Sequence, residues 1–489
     1  MFELGWGLTS LLTPVLYVAA LLAIALTLFY RIEIGIYFIC FFLPLQNILD
    51  YVNQFPLGKD INDLLIIAML IKWLVSGREA GEKTLLPSPI HAPLILLFFW
   101  TLLEVSNGSS YAGLGMSFSL SNPLVSSWKN YWMPAVLYLI IANNIKSPRQ
   151  IKTLVVVTLV SVLMLDRNFF SVLSDVDTSH YSDSVKEKFI SGGVALTGNM
   201  LAVFLAQYIV IFVALASYDI NRIRKYLYYV TIAFSYYCIL FLFSRGGYLA
   251  AAASLLFLGI IKERKILVIL TVVFIFYQTL LPVSVIERVS MTKTEEGLDG
   301  TSMQRIGMWE QAKSMISERP LHGYGFFVTP MIEVKAGAAF GDRTWGSFHN
   351  NYLQTIVELG FVGLLLVLWN YFTAMWIGWR LFQNSQDPFA KGVGLGVMAS
   401  VIGILAGNVN GSYWHFFSVS SLFWIYLGIM VRLTHVMEQA GVVEPAVVVT
   451  NAALPVTQLA LPGRLELPRN RTAAGETAKV TANSSGTGR

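Results

Sequence analysis

Long apolar runs recur along nearly the whole of this chain, and that repetition constrains its fold more than any single residue does. A helix needs roughly 20 apolar residues to cross a hydrocarbon layer of about 30 Å. Thirteen stretches reach or approach that length: 11–30, 34–49, 61–76, 92–105, 132–143, 151–165, 193–217, 226–243, 246–261, 266–281, 352–377, 393–405 and 416–431. The runs are continuous rather than alternating, which favours helices over the strands of a barrel. Hydrophobic residues make up 55% of the 489 and charged residues 13%, and the mean hydropathy is +0.61, outside the balance of a water-soluble domain. The expected fold class is an all-α integral membrane protein, a polytopic bundle of about 12–13 transmembrane helices with a large outer-face loop domain.

Lys and Arg between the runs set the orientation, because basic residues are retained on the cytoplasmic side. With thirteen spans, Arg31, Arg78, Lys83, Lys146, Arg149, Lys152, Arg222, Arg224, Lys225, Lys262, Arg264, Lys265, Arg380, Lys391 and Arg432 all fall on one side. That places the N-terminus outside, the C-terminus inside and the polar stretch 282–351 outside. No basic residue precedes Arg31, which argues against a cleaved signal peptide. The formal charge of +5 is accounted for by cytoplasmic loops, so it implies no nucleic-acid partner. Cys40 and Cys238 both lie inside expected spans, which argues against a disulfide framework or a cysteine metal site.

Four segments follow. Residues 1–281 hold the first ten spans, 282–351 an outer cap loop, 352–432 the last three spans, and 433–489 a tail whose Ala, Val, Thr, Pro, Gly and Ser content reads as disordered and cytoplasmic. The cap is 70 residues long with seven Lys/Arg and eight Asp/Glu, a mixture that suits a small folded unit lying over the bundle.

Within the cap, Thr301-Ser302-Met303-Gln304 has the pattern of a capping box that starts a helix. Ile306, Trp309, Ala312 and Ile316 would share one face, and Arg319-Pro320 would end it. Arg305 falls in the first turn, four residues before Trp309; it could stack on that indole at a surface or face a ligand. The run His322-Gly323-Tyr324-Gly325 reads as a turn with positive φ or close backbone approach at its glycines. Ser347-Phe348-His349-Asn350-Asn351 then opens the next span. His349 at an outer boundary is placed to accept a proton near neutral pH, or only to cap the helix.

Arg245 sits in Ser244-Arg245-Gly246-Gly247, a tight connection between two spans. A charge at that depth costs about 2.5–3.5 kcal/mol at a helix centre on insertion scales, unless it snorkels or meets a partner. Besides snorkelling, an anion site is the other reading, since guanidinium forks bind phosphate oxygens and Gly246 and Gly247 would let backbone approach a ligand. Asp175-Val176-Asp177 has a spacing used to hold a divalent cation against a diphosphate, and it is equally ordinary in a polar loop. Lys129 among aromatic residues reads as an interface anchor. Lys59, Asp60 and Asp63 are candidates to line a cavity, Asp166 and Arg167 to pair or face an outer loop, and His415 to lie near the outer mouth.

Ser244-Arg245-Gly246 after a span, Arg305 with Trp309, Pro320 followed by Gly323 and Gly325, and His349-Asn350 with Leu353, Glu358, Gly360 and Gly363 together resemble the O-antigen ligase and polymerase superfamily of bacterial surface-polysaccharide assembly. The resemblance covers roughly residues 193–410. It implies transfer of a glycan from an undecaprenyl-diphosphate carrier on the periplasmic face of the inner membrane, with inversion and with neither a metal nor another cofactor. Implied partners are that carrier-linked glycan, a glycan or lipid A-core acceptor, and membrane lipids. Arg245 and Arg305 would stabilise the leaving diphosphate, and His349, oriented by Asn350 or Glu358, would be the general base. Gly246, Asn350, Trp309 and Tyr324 join the two arginines as substrate-contacting candidates. A ligase, a polymerase and a protein O-oligosaccharyltransferase would share this donor chemistry, the ligase being the leading expectation. A transporter of the same lipid is the reading from another class, set back by the size and charge of the outer cap.

Overall fold

The computed structural model describes residues 9–76, 84–115, 119, 121–191, 196, 198–291, 293–294, 297–337, 341 and 343–439. Its first half comprises α1 (Thr9–Phe29), α2 (Ile32–Phe42), α3 (Gln46–Asp50), α4 (Ile61–Val75), α5 (His91–Tyr111), α6 (Pro123–Asn144), α7 (Pro148–Leu173), α8 (Asp183–Ser191) and α9 (Gly198–Tyr218). Then come α10 (Arg222–Phe241), α11 (Arg245–Ile261), α12 (Arg264–Ile275), α13 (Tyr277–Leu280) and α14 (Val283–Ser290). The chain continues through β1 (Lys293–Thr294), β2 (Gly297–Leu298), α15 (Gly300–Glu318), β3 (Val334–Lys335) and β4 (Thr344–Trp345) to α16 (Asn351–Asn384), α17 (Pro388–Gly407) and α18 (Phe417–Gln439). The strands form two short antiparallel hairpins, β1 with β2 and β3 with β4.

The expected all-α polytopic membrane architecture is what the chain adopts. In their described residues, the thirteen apolar runs each fall on a helix or a bent pair of helices; 193–195 and 197 of the seventh run lie outside the described residues. Among the described residues, seven helices are long and apolar enough by themselves to span a membrane, or up to eight if the segments 32–45 and 48–54, which meet at 101°, count as one. Most of the shortfall from thirteen has a physical basis. Helices α4, α11 and α12 have 15, 17 and 12 residues, and α10 opens with three basic residues in its first four.

Helix α9 is apolar nearly all round and lies at the centre, buried on every face, with α17, α11 and α10 packed against it. Helices α1 and α12 leave large side chains such as Val15, Val18, Val268 and Phe274 exposed, as lipid-facing helices do. Asp166 does not face an outer loop: α7 continues to Leu173, and helical spacing from Val162 and Phe169 turns Asp166 inward, where it accepts the Ser235 hydroxyl, while Arg167 stays exposed. The expected tail also starts later than residue 433, because α18 runs to Gln439; residues 440–489 lie outside the described set.

The cap has its own apolar core. Met308, Ala312 and Met315 of α15 meet Phe326, Val328, Val334 and Phe348, and this cluster continues into Val105, Leu124 and Val357 of the bundle. Helix α15 begins two residues before the expected start: Asp299 rather than Thr301 is its cap, accepting from the Ser302 N–H at 3.1 Å, and its buried face is set by Met308 and Met315 rather than by Ile306. An Asp carboxylate is a strong N-cap, and here an arginine also holds it in place.

Helix α16 is broken at Gly360, whose φ is +69°. A Cβ there would stand 1.9 Å from the Leu321 carbonyl oxygen, so the segment 320–325 can thread against the break. It satisfies the backbone the break releases: Tyr324 N–H donates to Val357 O at 2.8 Å, Gly325 N–H to Glu358 O at 2.9 Å, and Phe361 N–H to Pro320 O at 2.8 Å. Gly325, at φ +116°, lies so close to Gly108 of α5 that a Cβ would stand 2.1 Å from its backbone. The cap is thereby joined to two helices of the bundle.

Candidate active site

The start of α11 meets the start of α15, the long helix of the cap. Ser244 caps α11, its hydroxyl accepting from the Gly247 N–H at 3.3 Å, and Arg245 is the first residue of that helix. The preceding turn is made by Phe243, a fully buried residue at φ +49°. Arg305 lies in the second turn of α15. Between them Arg245 donates through Nη2 to Asp299 Oδ2 at 2.8 Å, so one carboxylate both caps α15 and holds Arg245. Burial raises the Asp299 carboxyl, but the bonds from Arg245 and Ser302 outweigh it and leave Asp299 below the ordinary carboxylate range.

Ser244, Arg245 and Arg305 wall a small cavity of about 30 Å³ that two further cations line: Arg288 of α14 and Lys186 of α8. Arg288 is buried, donates through Nε to Phe243 O at 3.3 Å and lies 4.8 Å from the Tyr181 ring centre. It therefore fastens the turn that presents Arg245. Burial, followed by the charges of Arg288, Arg305 and Arg245, lowers the Lys186 ammonium to about 8. Arg305 is lowered as well, first by burial and then by Arg245 and Arg288, against the opposing effects of Tyr413 and Asp299. Four cations crowd this region against two carboxylates, Asp299 acting on Arg245 and Arg305 and Asp183 on Lys186, and an anion carrying two or more charges would relieve the repulsion that remains.

The loop 408–416 closes the cavity. Asn410 accepts from Arg305 Nη1 at 3.3 Å, and Tyr413 lines the wall beside it. His349, whose imidazole feels the Arg305 charge, stands at φ +49°, its N–H donating to Ser347 Oγ at 3.3 Å. A non-glycine residue held at positive φ is uncommon and points to a constrained position. Burial, with Arg305 adding to it, lowers the imidazole to about 4, so His349 is neutral at pH 7 and able to accept a proton.

The site residues expected from sequence separate into groups. Arg245, Gly246 and Arg305 line the cavity, and His349 lies close enough to feel the Arg305 charge. Trp309 donates its indole N–H to Phe348 O at 3.0 Å, so it fixes the backbone beside His349. Asn350 caps α16 through its side-chain oxygen, accepting from Tyr352 and Leu353 N–H at 3.0 and 3.1 Å.

Three expectations need correction. Tyr324 is not brought to the cavity: its hydroxyl donates to Glu318 at 2.5 Å and its ring packs against Tyr111 and Arg319, because the Gly325 turn drives it into the cap core. Glu358 does not orient His349. It is fully buried, accepts from Gln354 at 3.1 Å and lies 3.3 Å from His415 Nε2, since the break at Gly360 leaves it facing the 408–416 loop. Gly246 and Gly247 are small for a different reason than expected: added Cβ atoms would meet Asn410 at 3.0 Å and Ala202 at 2.7 Å, so they admit neighbouring protein. Lys129 pairs with Asp63. Among the described residues no group of three or more His, Cys, Asp or Glu is placed to hold a metal ion, and Asp177 instead accepts from the Ser179 N–H at 3.0 Å.

Sequence reasoning missed Lys186, Arg288, Asn410 and Tyr413. Arg288 stood among the seven cap cations, but nothing local separated it from the other six.

Comparison with known proteins follows the same region. Residues 228–368 match the family described as O-antigen ligase, a stretch that contains Arg245, Arg288, Arg305, Trp309 and His349 but neither Lys186 nor Asn410. A protein of Rickettsia conorii (strain ATCC VR-613 / Malish 7), provisionally named a polysaccharide ligase, is 25% identical over 135 residues, which span 26% of this chain and 30% of that relative. The resemblance to the O-antigen ligase superfamily drawn from the motifs is borne out.

Proposed function

We propose, taking residues 228–368 as an O-antigen ligase domain, that this membrane protein transfers a glycan from an undecaprenyl-diphosphate carrier to an acceptor hydroxyl on the outer face of the inner membrane. The observation that carries this reading is the convergence of Arg245, Arg288, Arg305 and Lys186 on one cavity beside a neutral His349. The carrier diphosphate is the anion those four cations suit, and Asn410 and Tyr413 add polar contacts along the wall.

His349 takes the proton from the acceptor hydroxyl. The acceptor oxygen forms its bond to the anomeric carbon from the face opposite the diphosphate, and the bond from that carbon to the phosphate oxygen breaks with inversion. Undecaprenyl diphosphate leaves with the electron pair, its growing charge met by cations already in position. This reading gives charge neutralisation to fixed side chains rather than to a divalent ion. A charge-assisted contact contributes on the order of 1.5–3 kcal/mol, so loss of one costs roughly ten- to a hundredfold in rate.

The test is glycan transfer by purified protein in lipid, with an undecaprenyl-diphosphate glycan as donor and lipid A-core, oligosaccharide and peptide acceptors in parallel. Product lost in His349→Ala and Arg305→Ala but retained in EDTA supports the reading, and the product's mass separates ligase from polymerase and protein glycosylation. Donor that is moved across the bilayer without any product would instead favour a transporter.

A further inference from the structure

A second polar cavity, larger than the cationic one, opens near the same end of the bundle. It is a cleft of about 370 Å³ built where the chain turns through 101° after α2 and passes through irregular backbone before α4. Non-helical backbone among membrane helices is tolerated where protein buries it or where it lines a water-filled cavity. This stretch is held firmly. Leu57 adopts φ +61°, and at Gly58 a Cβ would stand 1.9 Å from the Val52 carbonyl oxygen.

The walls carry paired donors and acceptors rather than one sign of charge. Gln46, Asn53, Asn62 and Asn130 supply amides, and Asp63 accepts from Lys129 of α6. Asn62 Nδ2 donates to Gln46 Oε1 at 3.0 Å, while the buried Gln46 Nε2 has no hydrogen-bond partner among the described residues, an unmet donor in the wall. Met133 and Phe417 add apolar surface. Asp50, Asp60 and Asp63 outnumber Lys59 and Lys129, so this cleft, unlike the cationic cavity, repels a phosphate.

Two connections tie the cleft to the site above. Phe417 is four residues past Tyr413, which puts the two walls within about 14 Å along the chain even if it were fully extended. The turn in which Phe416 N–H donates to Tyr413 O at 3.1 Å brings them closer. Asn130 is followed by Tyr131, whose ring lies 5.9 Å from His415 of the same loop.

We propose that this cleft is a saccharide subsite that holds uncharged sugar units of one of the two glycans while the diphosphate occupies the cationic cavity. Amides and carboxylates that donate and accept side by side match vicinal hydroxyls, and Phe417 offers a surface for the C–H face of a sugar ring. This inference rests on the transferase reading for its role but not for its binding chemistry. Donor and acceptor glycans share that chemistry, so the source is decided by experiment.

The experiment is glycan transfer by the full chain in lipid with donor and acceptor titrated separately, comparing wild type with Asn62→Ala/Asn130→Ala. A KM raised about fivefold or more for one glycan, with kcat changed less than about twofold, supports the subsite, and the substrate affected identifies which glycan it holds. Unchanged KM values for both overturn the subsite and leave the transferase reading standing. If wild type forms no product, the transferase reading falls alone. The subsite is then judged by saturation-transfer NMR with surface polysaccharide released from its lipid by mild acid: a signal lost in the double variant supports it, and an unaltered signal overturns it. Should the double variant not fold, Asn130→Ala at its exposed position carries the same two readouts.

Discussion

The indole N–H of Trp309 donates to the carbonyl of Phe348 at 3.0 Å, which ties the helix bearing Arg305 to the backbone just before His349. A second tie closes the ring. Asn410 accepts from Arg305 at 3.3 Å, and two residues earlier the Asn408 carbonyl accepts from Asn351 N–H at 2.8 Å. The proposed phosphate ligand and the proposed base are thus held relative to each other from both sides, as a reaction that depends on in-line geometry requires.

Trp309→Phe removes one of these ties while keeping an aromatic ring. We expect transfer to fall about tenfold with the melting temperature little changed, because one hydrogen bond contributes only about 0.5–1.5 kcal/mol to stability whereas small displacements of a base are felt strongly in rate. Equal losses in activity and in melting temperature would mean that Trp309 serves the fold alone.

Arg245→Ala and Arg305→Ala should each lower transfer by roughly ten- to a hundredfold, and both should abolish stabilisation of the protein by added inorganic diphosphate in a thermal-shift measurement. Arg305→Lys should recover part of the activity, since it keeps the charge and loses the fork. Diphosphate stabilisation that survives both Ala variants would place the anion elsewhere.

The pH dependence follows from His349, lowered to about 4 by burial and by Arg305. A base with a depressed pKa is protonated less readily in the folded protein than in the unfolded chain. Its contribution to stability is therefore complete above the unfolded value near 6.5 and is lost as pH falls through about 4. In kinetics, kcat/KM should hold down to about pH 4. The acid limb of kcat should lie at higher pH, because a bound diphosphate offsets the Arg305 charge and raises the imidazole. Superimposed acid limbs would argue against a diphosphate beside His349.

Gly360→Ala should destabilise the protein by about 2–4 kcal/mol, since the added Cβ meets the Leu321 carbonyl at 1.9 Å and the residue sits at φ +69°. Gly300→Ala, where a Cβ meets nothing within 4 Å at the start of α15, should be neutral or slightly stabilising. Thermal melting of both in lipid decides whether the break in α16 is as constrained as its contacts indicate.

Much of the architecture was legible from the chain alone. Apolar runs of helical length mark where helices form, because burial along one face is a local, periodic property, and the described residues of the thirteen runs coincide with helices even where these are short or bent. Arg245, Arg305 and His349 stood out for a related reason: a charge or an imidazole between greasy segments is costly unless it has a task. The positions of Gly323 and Gly325 at positive φ were readable from the turn they punctuate.

What the tertiary structure decided is which of these residues meet. Lys186, Arg245, Arg288, Arg305 and Asn410 come from five separate elements spread over more than two hundred positions, and no periodicity relates one to another. Glu358 pairs with His415 rather than with its near neighbour His349 because a broken helix, not a regular one, sets the direction of its side chain. Tyr324 turns away from the cavity because Gly325 must pass against Gly108. Local sequence determines which segments become helices and which polar residues are costly to leave among them; only long-range packing brings four cations to one wall, and with them the chemistry.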